Sequence, residues 1–406
     1  MATDDRTALV TRRRTDAELG DDAVALTVEL VGIDSVNPGL VAGAAGERDI
    51  VGHLRDRLQH NGFETHVVTP RDQHDRPSLV AVGPGGPPGP TVVLTGHLDT
   101  VGVDGMDDPF AARVEGDRLL GRGAADMKGG VAALVTAAEE LAVRGAPGRV
   151  VLALVADEED ASLGTEAVLE ALPGLGVVPD VAVVGEPTWL ALAETLRGYA
   201  LVEVTLTGRA AHSSQPELGT NAVSHLGRLL TAVEARDRAL PDPGGSIMVT
   251  VAAGGESPFV LARSATALVE RRTVAGESSS DALAEVEQVV ADLAADDPEV
   301  AGSARLVIAR DAWRLDTDGP AAALGTRLEA ALAQGAPLQG AHPGRLHAPY
   351  WMEAPLWQAA GIPALVCGPA GGGLHAADEW VDLRQVRRYA VSLTAAIAGW
   401  VVERAD

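Results

Sequence analysis

TVVLTGHLDT, residues 91–100, decides the reading of the chain: an unbroken run of apolar and β-branched residues passes directly into a histidine and an aspartate. A run that dense does not suit a strand with one wet face. It suits a strand buried on both sides, as in a sheet covered by helices. The same arrangement recurs: residues 150–156 run into the acids DEED at 157–160, 181–184 into GEPT, and 364–366 through Cys367 into GPAGGGLHAADE at 368–379. Helix-spaced segments such as 131–143 separate them, which predicts βα units. In open α/β sheets ligands sit beyond the carboxyl ends of the strands, so the four polar clusters are expected to converge there.

Working outward, residues 1–20 are charged and unpatterned and read as a frayed arm. Helical spacing covers 24–33 and 50–58, the latter stopping at Asn61-Gly62, and strands are expected at 63–68 and 78–82. The segment GPGGPPGP at 83–90 lacks N–H donors at its prolines and is not followed by GK[ST], so it is a hairpin or connector and not a phosphate loop. The middle of the chain changes character. Residues 199–207 alternate apolar and polar, 247–253, 265–272 and 305–309 read as further strands, and 221–233 and 282–293 read as helices. This is α+β, with one antiparallel sheet and helices on one face, spliced into the α/β pattern. The expected organisation is a catalytic domain in two parts, 1–196 and 311–406, around an inserted domain at 197–310.

Composition narrows the function. The 406 residues are 46% apolar and 22% charged, enough to bury the cores of two or three domains. A net charge of −25 repels phosphate backbones and anionic lipid, which argues against nucleic-acid and membrane partners. The apolar runs are far shorter than the ~20 residues of a membrane span, and the opening MATDDRTALVTRRR has no signal-peptide core, so a cytoplasmic location is expected. A lone cysteine, Cys367, can build neither an internal disulfide nor a thiolate cage. Any metal must then be held by histidine and carboxylates. Lysine also occurs once, as Lys128 within ADMKGG, and is expected near such a site, partly offsetting its acids.

A hydrolytic two-metal centre built without cysteine needs imidazole and carboxylate ligands, a carboxylate able to bridge, and an unligated carboxylate to move a proton. His97 and Asp99, Asp126, Glu158 and Glu159, Glu186, His375 and Asp378 offer these parts. Singly each has a plainer reading: Asp126 as a helix N-cap, the two glutamates as a solvated acidic turn, His97 as a satisfied polar residue. Together, acids gathered on one rim repel unless cations are present. If strand geometry continued past residue 156, Glu158 and Glu159 would point to opposite sides, one to metal and one to substrate.

GHLDTV, GRGAADMKGG, VADEED, VVGEPT and GLHAADEWV, in this order, resemble the signature set of the M20 metallopeptidase and deacylase family, which includes acetylornithine deacetylases, succinyl-diaminopimelate desuccinylases, carboxypeptidases and carnosinase-type dipeptidases. The resemblance implies an α/β zinc-peptidase-type catalytic domain, a mixed sheet covered by helices, with an inserted α+β lid and dimerisation domain. It implies two zinc ions bridged by Asp126; carboxylate-rich histidine sites also take cobalt or manganese. His97 and Glu186 would complete one site and Glu159 and His375 the other. Asp99 would hydrogen-bond the His97 ring, and Glu158 would be the general base.

GRAAHSSQPELGTNAV at 208–223 is similar to the family's inserted domain, which makes His212 a candidate for polarising the scissile carbonyl in the partner's site of a homodimer. Arg272 matches an arginine that binds substrate carboxylate. Two departures fall where the pocket is shaped: GGESPFVLARS at 254–264 lacks the asparagine of the usual Asn-Val-Ile-Pro segment, and Met352-Glu353-Ala354 replaces a Ser/Thr-Asp-Ala. The expected activity is hydrolysis of an amide bond next to a free carboxylate in a small-molecule substrate. An N-acyl amino acid deacylase of the acetylornithine or succinyl-diaminopimelate type leads; a carboxypeptidase or dipeptidase is the alternative. From another class, a non-catalytic binder of amino-acid derivatives would have no need of both Glu158 and Glu159. No G-x-S-x-G elbow supports a serine hydrolase.

Overall fold

The computed structural model describes residues 12–241, 244–342 and 344–405. Two compact units divide the chain: the larger takes residues up to Glu194 with Leu315–Leu346 and Leu356–Asp406, the smaller Thr195–Arg314 with His347–Pro355.

In the larger unit six strands form one mixed sheet in the order Glu64–Val68, Ser78–Val82, Arg149–Val155, Thr91–His97, Val181–Val184, Ala364–Val366. Thr91–His97 is parallel to both neighbours, with His97 opposite Val155 and Thr95 opposite Val184. Ala364–Val366 is parallel to Val181–Val184 in turn, whereas the first two strands run antiparallel to theirs. Four chain segments therefore leave the sheet at one rim, each at a polar cluster. Val92 to Leu94 and Val151 to Val155 are all fully buried. Since successive side chains of a strand point to opposite faces, both faces are covered. Helix Gly129–Arg144 packs on the two central strands, Arg48–His60 on the first two, and Gly319–Leu332 on the last two.

Some local expectations change. Of the expected frayed arm, residues 1–11 lie outside the described residues, but the chain is helical over Asp16–Val31. The start is held by a capping box, in which the Thr15 hydroxyl accepts the Glu18 N–H and the Glu18 carboxylate accepts the Thr15 N–H. That T-x-x-E signal outweighs the charged look of the segment. The 83–90 stretch is a connector, because Arg149–Val155 lies between the two strands it joins.

The smaller unit carries an antiparallel sheet in the order Ser246–Gly254, Ser264–Thr273, Gly198–Thr207, Ala301–Arg310. Ala200, Val202, Val204 and Leu206 are buried while their alternates are not, the period of a sheet with one covered face. Helices Ala222–Ala239 and Ser279–Asp296 cover it, contributing Leu226, Leu229, Val233, Val286, Val289 and Val290 to the core. The nearly buried Arg271 ties sheet to helix. Its Nε donates to Glu285 (2.7 Å) and its Nη2 to Glu277 (3.0 Å), while Arg236 reaches Glu285 from the other helix.

Burial alone would raise the Glu285 carboxyl, but its bonds to Arg271 and Arg236 hold it below the usual value. A depressed folded pKa adds stability that is complete above the unfolded value and is lost as pH falls through the folded one. Glu285→Ala is therefore expected to lower the unfolding free energy by about 1–3 kcal/mol at neutral pH, since it strips a buried guanidinium of a charged partner. Urea melts repeated in acid check the sign: the wild-type advantage should shrink below about pH 4.5.

Candidate metal centre

His97 is the last residue of its strand. Its ring Nδ1 donates to the Asp99 carbonyl at 3.0 Å, which leaves Nε2 facing Asp126 Oδ1 at 3.0 Å. The ring is thus oriented by the backbone of Asp99, whose nearer carboxylate oxygen stands 3.7 Å from Nδ1. That carboxylate accepts the N–H groups of Glu158 (3.1 Å) and Glu159 (3.2 Å) and the amide of Asn37 (2.7 Å). The two glutamates are not aimed by a continuing strand. Asp157 takes a left-handed conformation (φ 68°) and turns the chain, and Asp99 holds the turn. Behind it, Arg76 binds Asp157 at 2.8 Å and Glu47 at 2.5 Å, all three side chains buried.

Asp126 is not a helix cap. It sits in the tight Ala124–Lys128 turn with non-helical φ −119° and ψ 97°, before helix Gly129–Arg144 begins. Its second oxygen lies 3.3 Å from His375 Nε2, which is also 3.1 Å from Glu159 Oε2. His97 Nε2 lies 3.9 Å from Glu186 Oε1.

These residues fit a pair of cations. Donor atoms of His97, Asp126 and Glu159 all lie within 4.8 Å of one another, and so do those of His97, Glu158 and Glu186. Among the described residues, Glu159 Oε1 is buried with no hydrogen-bond partner, which a carboxylate oxygen, able only to accept, tolerates poorly. Nitrogen and oxygen donors of this kind suit zinc, cobalt or manganese.

The electrostatics agree. Burial disfavours charge on His97, but Glu186, Asp126 and Glu158 reverse this and raise its pKa well above normal. Hydrogen bonds to Asp126 and Glu159 push His375 up to about 10. Burial would raise Asp126, but both histidines hold it well below the carboxylate range. Glu159 is raised by burial and by repulsion from Asp126. The acids therefore draw positive charge into the cluster, as protons on imidazole or as metal ions that displace them.

The other residues singled out in the sequence stand as follows. Lys128 is fully buried, and burial pulls its pKa to about 7 against the fields of Glu379 and Asp34. Its Nζ donates to the Ile33 carbonyl at 2.7 Å. In the smaller unit, His212 Nδ1 accepts the Ser214 N–H at 3.1 Å, so in the neutral ring the proton sits on Nε2. Arg272 pairs with Glu270 and lies 5.4 Å above the Tyr199 ring. Asn37 and Glu379 were not among the expected site residues. Asn37 falls outside every motif and has no local signal, whereas Glu379 lies inside GLHAADEWV, four residues after His375.

Residues 93–399 match peptidase family M20/M25/M40, and the chain belongs to that family. It is 38% identical over 227 residues to the succinyl-diaminopimelate desuccinylase of Gluconobacter oxydans (strain 621H), covering 53% of this chain and 57% of that protein. It is 29% identical over 364 residues to the acetylornithine deacetylase of Myxococcus xanthus, covering 86% and 91%. The first of these alignments thus spans little more than half of the relative. Among solved structures, an M20 family metallo-carboxypeptidase from Sulfolobus solfataricus superposes with a TM-score of 0.74 at 15% identity, over 94% of this chain and 100% of that one. A Bacillus subtilis protein described as a dinuclear metal binding peptidase from the M20 family gives 0.68 at 15%, over 94% and 99%. At such identities the structures establish the fold.

One close approach sets the position of Glu186. A Cβ on Gly130, at the start of helix Gly129–Arg144, would stand 2.1 Å from the Gly185 carbonyl oxygen. Gly130→Ala must therefore push the helix away from the turn bearing Glu186, at a cost of about 1–3 kcal/mol. A lower thermal midpoint together with weaker zinc uptake by calorimetry is expected, while Gly52→Ala, in open space inside another helix, should leave zinc uptake unchanged and raise the midpoint slightly, because alanine is the better helix former.

Proposed function

We propose that this chain is a two-cation hydrolase that cleaves an amide bond beside a free carboxylate, with N-acyl amino acids as substrates. The observation that carries the reading is Asp126, whose two oxygens face two histidines, each with its own glutamate: His97 with Glu186, His375 with Glu159. Asp126 would bridge the cations and these four residues would complete their coordination. When bound, the cations supply Lewis acidity and a water acidified towards pKa ~7.

Glu158 is then the group that moves protons. It takes one from the attacking water and delivers it to the leaving amine, so a single carboxylate serves both halves of the reaction. Its backbone is pinned by Asp99, which keeps it beside His97 and Glu186. The desuccinylase and acetylornithine deacetylase names of the relatives support an N-acyl amino acid; a carboxypeptidase or dipeptidase activity is the second reading, favoured by the metallo-carboxypeptidase fold likeness.

The smaller unit serves in this reading as lid and dimerisation domain, with catalytic segments on either side in sequence. One of its two edge strands, Ser246–Gly254, exposes Met248 and Val251, a feature that suits pairing with a second copy. His212, with its proton on Nε2, would donate to the carbonyl oxygen in the partner's site as negative charge develops there. Arg272 would hold the substrate carboxylate.

Glu158→Gln is expected to cut hydrolysis of N-succinyl and N-acetyl amino acids by about 10²–10⁴-fold while elemental analysis finds the metal content unchanged; a near wild-type rate would remove its role. Dialysis against a chelator should abolish turnover, and zinc, cobalt or manganese should restore it. Activity that survives complete metal removal defeats the two-cation reading. Rates on N-acyl amino acids compared with dipeptides separate the two substrate classes.

A further inference from the structure

The turn that presents Asp126 is gripped from one side by a residue that is not a metal ligand. Glu379 is 1% exposed. Its Oε1 accepts the N–H groups of Ala125 (2.9 Å) and Asp126 itself (3.1 Å). Its Oε2 accepts the Gly123 N–H (2.9 Å) and Nη1 of the buried Arg122 (2.7 Å). Its own carbonyl accepts the Gly121 N–H at 3.2 Å. Both ends of this contact rest on one small sheet, in which Trp380–Asp382 pairs antiparallel with Arg118–Leu120 and Leu120 lies opposite Trp380. The 121–126 turn leaves that sheet directly beside Glu379, and His375 lies four residues before it.

A side chain that must aim two oxygens at two different partners needs its backbone fixed, and the Asp126 N–H is the nearest handle on it. A carboxylate suits this place because all its lone pairs accept, and four donors converge on it. We propose that Glu379 is a positioning residue that locks the Asp126 turn to the His375 segment, and so sets the separation of the two cation sites. This rests on the two-cation reading above.

The assignment is tested on the purified full-length protein by chelator competition for zinc, read beside the thermal midpoint, in wild type, Glu379→Gln, Glu379→Asp and Glu139→Gln. Glutamine turns an NH₂ group towards donors. The expected result is folded protein with zinc affinity lowered about 10- to 100-fold. Aspartate keeps the charge but retracts it by one methylene, and should fall between glutamine and wild type. Glu139 is an equally buried carboxylate that binds Arg14, Arg57 and Asn61 away from the cluster. Its glutamine variant should lose thermal stability and keep its zinc affinity within about twofold.

If Glu379→Asp, and Glu379→Gln where it folds, lower the midpoint but bind zinc like wild type, Glu379 is merely structural and the inference is overturned. Wild-type protein that takes up no zinc, cobalt or manganese overturns the two-cation reading itself, and this inference with it. The two failures are distinguished by which protein shows them.

Discussion

Repulsion between carboxylates is the constraint on which the larger unit depends. Asp126, Glu158, Glu159 and Glu186 are brought to one rim because their strands, or the turns beside them, run parallel and stop together. Like charges at such separations cannot all ionise without compensation. Two histidines lie among them, 3.0–3.9 Å from carboxylate oxygens of Asp126, Glu159 and Glu186, and both are driven towards the charged form. The cluster is thus by itself a site for positive charge, where a cation would replace a proton without any new negative charge having to be buried.

Such a cluster needs rigid support, because each acid would otherwise relax into solvent. The support comes from groups around it. Asp99 gives its carbonyl to the His97 ring and its carboxylate to the backbone of the Glu158–Glu159 turn. Asn37 links Asp99 to Asp157, and the buried Arg76 carries that chain on to Glu47. On the opposite flank, Glu379 collects the N–H groups around Asp126. Backbone amides do much of the positioning, and motif spacing alone says little about them.

How much of this was legible beforehand differs by element. Strands buried on both faces announce themselves as unbroken apolar runs, so Thr91–His97, Arg149–Val155 and Val181–Val184 could be found within a residue or two. The alternation of Gly198–Thr207 marked the one-sided sheet of the smaller unit equally well. Short strands such as Arg118–Leu120 and Trp380–Asp382 carry too few residues to show a period, and the sheet they form, with Glu379 at its edge, was not visible. No motif marks the long helix Leu383–Ala405, although its buried residues follow a helical spacing.

What the sequence by itself determined is the inventory of chemistry: one cysteine, so no thiolate site; histidines and acids placed directly after buried strands; and a motif order that points to family M20. Those features are local, set by residue type and by the distance along the chain over which a strand or helix forms. Only the tertiary structure decided which atoms meet. That His97 is oriented by the carbonyl of Asp99 and less by its carboxylate depends on how the chain turns just after the strand, and that Asp126 faces both histidines and that Asn37 and Glu379 hold the turns depends on residues tens to hundreds of positions apart being brought within 3.3 Å. Strand order and the left-handed turn at Asp157 control that approach, and neither leaves a period in the sequence.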